Sequence, residues 1–484
     1  MKRSKKIYML LGVLVVACIA TFAVIRYEEH KEKIRSSDEI ILEIPSDSVK
    51  SLSWEYESRT LTFNREEKWI YNEDEEFPVD EEKMDELLKP FEEFGASFII
   101  EDVKDYGQYG LEDPICTINL STANQSYEIL LGNYSEMDAQ RYVSIGDGNV
   151  YLVKDDPLNY YKAELKDLID NDDPPKFKDV AEIHFSGAET YRIIYEEDSE
   201  NSYRDDDVYF AQMDGKSLPL DTTRVNDYLR NIKYQDLTDY VTYKATTEDL
   251  TKYGLDKPEL TVTLKYTAEN DEGEEIKDTF VLHVSRDPEE RKAAEDGAKA
   301  GEGEETGEDR AKEESDGQDD EEKITAYARV DRAKIIYRIK PDDYKKLMAA
   351  SYNSLRHLEV LPADFEDIGR MDISLEGKNY TITSEKKDGE RIYYYEGEVI
   401  KIKDLRDALE SIKAESFTDE RPKQSKEISL TVYLDMEKDP KILIDLYRYD
   451  GTYCLAMIDR KPLALVKRSN VVDLIEAVHA IVLN

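Results

Sequence analysis

The sequence predicts an α+β chain, with an N-terminal transmembrane helix followed by three tandem modules that each combine an antiparallel sheet with helices. Three observations predict it. The hexapeptide Tyr109, Gly110, Leu111, Glu112, Asp113, Pro114 returns as Tyr253, Gly254, Leu255, Asp256, Lys257, Pro258. Apolar residues alternate with polar ones in short runs, the period of half-buried strands, and helical stripes interrupt these runs in one recurring order. A single uncharged run, Ile7 to Ile25, follows a basic start. The length of 484 residues exceeds what one core holds and, at ~150 residues per domain, leaves room for about three.

The run at 7–25 is long enough, at ~1.5 Å per residue, to cross a hydrocarbon core of ~30 Å. Lys2, Arg3, Lys5 and Lys6 place residues 1–6 in the cytoplasm as a short tail, with the long C-terminal part exported as from a signal-anchor. Arg26, Lys31, Lys33 and Arg35 match them in number on the other flank. Val15, Val16, Ala17, Cys18 also fit a relaxed lipobox, which gives a lipoprotein at Cys18 as the second reading. Ile19 to Ile25 stays apolar after the cysteine, and this favours the uncleaved helix. Both readings tether the chain to the cell membrane and put the rest outside the cytoplasm, beyond a charged stem at 26–44.

Module one covers 45–170. Val49, Leu52, Trp54 and Tyr56, then Leu61 and Phe63, then Trp69 and Tyr71 alternate as antiparallel strands. Asp80 suits a helix N-cap, before a stripe of Met84, Leu87, Leu88, Phe91 and Phe94 with a kink at Pro90. After the Tyr-Gly-Leu-x-x-Pro turn come strands near Thr117–Leu120 and Tyr127–Leu131, a loop from Gly132 to Gln140, and a hairpin turning at Gly146 to Asn149. A short helix carrying Leu158, Tyr161, Leu165 and Leu168 closes the module.

Module two, 176–352, repeats that order, with Asp221 in the place of Asp80 and a stripe of Val225, Tyr228, Leu229 and Ile232. Its closing helix starts at Pro341. Module three, 364–484, is the most diverged, since Arg421, Pro422 and Lys423 stand near the missing Tyr-Gly-Leu turn. Its helix stripe is Ile402, Leu405, Leu409 and Ile412, and the chain ends in a helix with Val471, Leu474, Ile475 and Val478. From Asp287 to Glu322 almost no aliphatic or aromatic residue occurs. Such a stretch buries too little apolar surface to offset ordering entropy, and is expected as a disordered acidic insertion in the loop that module one fills with Gly132–Gln140.

The net charge is −43, with 36% charged residues. That balance repels phosphate, so neither nucleic acid nor a peripheral lipid surface is an expected partner. Cys18, Cys116 and Cys454 have no metal-ligand spacing, and the last two read as small apolar strand residues. His30, His184, His283, His357 and His479 stand at no metal-ligand interval and read as surface or strand-face residues. Gly301 to Gly307 follows no strand, so it is no phosphate loop. The clusters Asp170, Asp172, Asp173 and Asp205, Asp206, Asp207 lack the spacing of a calcium loop. With no nucleophile elbow or zincin helix either, the expectation is a protein that is not an enzyme, with no catalytic residue, no metal ligand and no cofactor. Tyr393, Tyr394 and Tyr395 put tyrosine on both faces of one strand, a stacking surface or simply strand residues.

The order of strands, capped helix, Tyr-Gly-Leu-x-x-Pro turn and paired strands ending in Arg141, Tyr142, Val143 and Val150, Tyr151, Leu152, Val153 resembles a bacterial repeat family, domain of unknown function 4340. The likeness is good over modules one and two and weak over module three. It implies a membrane-tethered envelope protein whose gene stands beside an ABC transporter of the gliding-motility type. The family has no established catalytic residue to carry over. Two functions are therefore expected. One is a non-catalytic accessory or scaffold of an ABC-type transport system, with its permease and ATPase subunits as partners. The other is a cell-surface module binding glycan or peptide. An exposed apolar patch near the stem favours the first, and a concave groove lined by tyrosines the second. The sequence carries no signal for the oligomeric state.

Overall fold

Val49–Tyr56, Asp179–Gly187 and Ile368–Leu375 are the opening strands of three antiparallel sheets, and all three break register at one place. The shift lies between Val49 and Ser51, Val180 and Glu182, and Ile368 and Arg370, where each strand meets the strand that follows the helical crossing. An extra residue on one strand bends it and sharpens the local twist, so the bulge marks equivalent positions in the three sheets. The computed structural model describes residues 12–22, 33–270, 272–293, 324–387, 389–436 and 440–483. By internal contacts the chain divides into two compact units, residues 1–171 with the first sheet and 172–484 with the second and third.

One topology serves all three sheets. In the first, Val49–Tyr56 forms a hairpin with Arg59–Arg65 and leads through Trp69–Tyr71 to the helix Glu81–Leu88. Phe94–Glu101 then lies at the far side of the sheet. The meander Cys116–Thr122, Ser126–Ser135, Gln140–Ser144, Val150–Val153 fills the space between, pairing with the opening strand at one end and with Phe94–Glu101 at the other. The helix Thr222–Lys233 and the strand Tyr240–Thr242 repeat this crossing in the second sheet. The helix Lys403–Glu410 and the strand Ala414–Phe417 repeat it in the third.

The caps follow the sequence in two cases. Asp80 accepts from the Lys83 amide at 3.1 Å, and Asp221 from the Thr223 and Arg224 amides at 2.9 and 3.2 Å, bonds worth ~1 kcal/mol each. The third helix has Ile402 at its N-cap and no side-chain cap. The stripes point into the cores: Val225, Tyr228, Leu229 and Ile232 in the second sheet, Leu405, Leu409 and Ile412 in the third. Each first helix packs against the closing helix of its module. In module one, Tyr161 on the closing helix donates to the Leu87 carbonyl at 2.7 Å. In module two the bond runs the other way, from Tyr228 on the first helix to the Leu347 carbonyl at 2.9 Å. Both rings sit edge-on to an aromatic of the opening strand, Tyr161 to Trp54 and Tyr228 to Phe185.

Several expectations are corrected. The first helix ends at Leu88; Pro90 lies in a 3-10 turn, Lys89–Phe91, and Phe94 already belongs to a strand. Within the stem at 26–44, Lys33–Ser36 and Ile40–Leu42 both pair with Phe94–Glu101, because that strand offers free backbone groups to the segment preceding the module. Gly132 to Gln140 is not a loop throughout, since Ser126–Ser135 continues as strand past Gly132. A Cβ at Gly132 would stand 2.2 Å from the Tyr109 carbonyl oxygen, so the strand passes there only as glycine. The acidic insertion keeps helical backbone at 288–293, and Glu290 accepts from the Thr325 amide at 2.8 Å. The remainder of that stretch, 294–322, lies outside the described residues. So do residues 7–11 and 23–25 of the expected membrane run: residues 12–22 are helical, and no helix among the described residues is long and apolar enough to cross a membrane.

Candidate functional site

The repeated hexapeptide is the first candidate, and its residues are spent on packing. Gly110 and Gly254 take φ of +71° and +73°, which L side chains rarely adopt. A Cβ there would stand 2.6 Å from Asn133 Oδ1 and 2.7 Å from Ser285 Oγ, so the turn lies directly on a meander strand. Tyr109 then meets Tyr142 with ring centroids 4.9 Å apart, and Tyr253 meets Tyr327 at 4.6 Å. Leu111 and Leu255 are buried beside them, each in a small core separate from the main one. Next to this turn in module one, Arg141 bonds Asp156 at 2.6 Å and the Gly132 carbonyl at 2.6 Å. The Arg-Tyr-Val signature therefore contributes a buried ion pair and one half of the tyrosine pair.

A second cluster joins the second and third sheets within the unit 172–484. His357 Nε2 lies 2.7 Å from Asp207 Oδ1, and Ser202 donates to Asp207 Oδ2 at 2.5 Å. The other imidazole nitrogen faces Glu359 at 3.8 Å, and Lys413 holds Glu359 at 2.8 Å. Arg204 reaches Asp364 at 3.3 Å and the Leu361 carbonyl at 3.1 Å. Burial works to lower the His357 pKa, but the bonds to Asp207 and Glu359 outweigh it and raise it to about 9. Glu359 is held well below the usual carboxylate range, by His357 first and then Lys413. Burial raises the Asp364 carboxyl despite Arg204.

Serine, aspartate and histidine meet here in an order that does not serve nucleophilic catalysis. The carboxylate lies between the hydroxyl and the imidazole, and both imidazole nitrogens face carboxylates, so no basic nitrogen is left for the serine. The cluster is a partly buried electrostatic pin between two modules, with Asp207 its fully buried member. Sequence reading missed it because Asp207 and His357 are 150 positions apart.

Other flagged residues scatter. Tyr393 is a core residue donating to the Phe365 carbonyl at 3.1 Å, Tyr395 packs on Tyr380, and Tyr394 accepts from Lys387. Asp172 is bonded to Tyr337, Asp173 to Lys176 and Asp207 to His357. Among the described residues no group of three or more His, Cys, Asp or Glu could hold a metal ion. Cys116 and Cys454 are buried and free, and burial pushes each thiol up to about 12. His283 meets Thr261 at 3.0 Å, and burial lowers its pKa. His184 is exposed on a strand and His479 lies 3.8 Å from Glu376. His30 and Gly301 to Gly307 lie outside the described residues.

Two hollows are lined by aromatic side chains. In module one, about 380 Å³ opens over Trp54, Tyr56, Leu61 and Tyr71, with the ion pair Arg59–Glu164 in its wall. In module two, about 440 Å³ opens between the opening strand and the helix Thr222–Lys233, against Phe177, Tyr195, Tyr209 and Tyr234.

The sequence model of a family described as domain of unknown function 4340 matches residues 69–258 and again 213–431. The chain belongs to that family. The interval between the two starting positions equals that between Tyr109 and Tyr253, so both matches are in register with the repeated turn. The second ends inside Lys426–Leu434 of the third sheet. The sheet that lacks the Tyr-Gly-Leu turn is thus covered only in its first part. No curated protein and no solved structure matches the chain.

Proposed function

We propose that this member of the family is a non-catalytic, membrane-tethered extracytoplasmic protein, serving as an accessory or scaffold of an ABC-type transport system of the gliding-motility kind. The observation that carries the reading is the helix at 12–22. Val13, Leu14, Val16, Ile19 and Phe22 on it are all more than 60% exposed, so the helix is apolar all round and nothing among the described residues covers it. A helix of that kind belongs in lipid or in a partner. The basic residues before it support a cytoplasmic start. The non-catalytic part of the reading draws on the repeated hexapeptide and the half-buried His357, both of which are occupied structurally. The experiment is purification of the full-length tagged chain from bacterial membranes in mild detergent. Permease and ATPase subunits of an ABC transporter are expected at fixed ratio to the chain. A chain found in the soluble fraction, or in membranes without those subunits after crosslinking, would sink the proposal.

The second reading, a glycan- or peptide-binding surface module, is favoured by the aromatic hollows of modules one and two.

A further inference from the structure

The groove of module two differs in charge from its counterparts, and the shared bulge makes the comparison position by position. Counting from the bulge, Lys178 stands where module one has Asp47 and module three Glu366. Counting from the core leucines of the first helices, Lys233 stands where module one has Glu92, and Tyr234 where it has Glu93. Module one keeps a hollow at this place, about 490 Å³, lined by Asp47, Asp85, Glu92 and Glu93 around a single cation, Arg65. In module three Glu366 is bound by Arg406 at 2.8 Å, and Lys413, at the position of Lys233, is drawn to Glu359.

At this position of module two, cations and aromatic side chains converge, with the Tyr195 hydroxyl turned to Glu197 at 2.5 Å. Lys178, Arg230 and Lys233 line the groove, with Asp179 the one acid in its wall. Lys233 Nζ lies 5.0 Å over the Phe177 ring and 3.2 Å from the Phe177 carbonyl, with no carboxylate within 4.0 Å among the described residues. The pairs Lys178–Glu269, at 3.8 Å, and Arg230–Asp227 are exposed, and such pairs contribute little and exchange readily. Tyr195 is 43% and Tyr234 74% exposed, and both flank the opening. Tyrosine and arginine are the side chains that most often anchor a protein partner.

We infer that this groove binds an extended acidic peptide segment of a partner protein, its carboxylates on Lys178, Arg230 and Lys233 and its side chains against Tyr195 and Tyr234. A bilayer surface or a nucleic acid would bring many phosphates up to a chain of net charge −43. A single peptide strand meets mainly the local cations, because charges beyond ~8 Å are screened at physiological salt. The site goes beyond the transporter reading and holds whether or not the chain is tethered.

The test uses the full chain in zwitterionic nanodiscs and a fluorescent twelve-residue peptide of alternating Glu and Tyr, read by anisotropy. Binding is expected to weaken as salt rises, and at least tenfold in the double variant Lys178→Asp, Lys233→Glu. That variant installs charges module one already carries at these positions but removes the Lys233 contacts to Phe177, so its melting temperature is measured alongside and the tenfold loss is read at a temperature where the variant stays folded. The mirror variant Asp47→Lys, Glu92→Lys serves as control and should keep the binding. Equal binding of a Lys-Tyr peptide, or affinity unaffected by the double variant, overturns the site. Loss of adhesion to phosphatidylglycerol–phosphatidylcholine vesicles, with no peptide binding in the wild type, overturns the peptide as its occupant.

Discussion

Titrating His357 should change the stability of the unit 172–484 in a direction the structure fixes. The perturbation is pH, with His357→Gln as the variant that cannot be charged. In the folded chain the imidazole is raised from 6.5 to about 9 by Asp207 and Glu359 against the cost of burial, and its side chain is only 17% exposed. A raised pKa means that the folded state holds the proton more tightly than the unfolded chain. The stabilisation is therefore complete below pH 6.5 and is lost as pH rises through about 9. At ~1.4 kcal/mol per pH unit the interval amounts to about 3 kcal/mol. Removing one member of a buried pair costs a similar ~3–5 kcal/mol. The assay is urea unfolding of wild type and His357→Gln at pH 6 and pH 10. The two should differ by about 3 kcal/mol at the lower pH and converge at the higher. Parallel curves, with the same difference at both, would refute the ionic pin.

Three further outcomes follow from packing. Gly110→Ala forces φ of +71° on an L residue and puts a methyl against Asn133, so unit 1–171 should lose ~1–2 kcal/mol, about 2–8 °C in calorimetry; an unchanged transition would show that the turn relaxes freely. Tyr161→Phe removes the donor to the Leu87 carbonyl inside the core and should cost ~1–3 kcal/mol in chemical denaturation, while Tyr160→Phe, only half-buried, should cost under ~0.5. Replacing 294–322 by a short Gly-Ser turn should leave the melting temperature within the scatter of a surface change, ~0.5 kcal/mol, because loop closure costs only ~0.6 kcal/mol per doubling of length; a drop of many degrees would show that the stretch packs on the fold.

The period-two runs and the capped stripes at Asp80 and Asp221 made the strands and first helices legible, since burial alternates as local geometry dictates. What stayed hidden was set by partners distant in sequence. Gly132 reads as a loop signal, but its purpose is to let the Tyr109 carbonyl approach a strand. Ile40–Leu42 reads as stem because nothing local says that Phe94–Glu101 leaves one side of its sheet free to pair with it. The tyrosine that bridges the helices sits on opposite helices in modules one and two, so no alignment of stripes brings Tyr161 and Tyr228 together. His357 has no metal spacing and reads as a surface residue, yet Asp207 and Glu359 hold it half-buried. The charge reversal between Asp47 and Lys178 becomes visible only once the bulge fixes the register.

The most direct test of the tethered envelope reading is labelling of a single cysteine at Ser58, an exposed turn residue of the first sheet, in a chain carrying Cys18→Ala. Cys116 and Cys454 are buried and should stay silent under native conditions. A membrane-impermeant maleimide added to intact protoplasts should label Ser58→Cys as fully as it does after lysis. Labelling that appears only after lysis would place the modules in the cytoplasm and contradict the account.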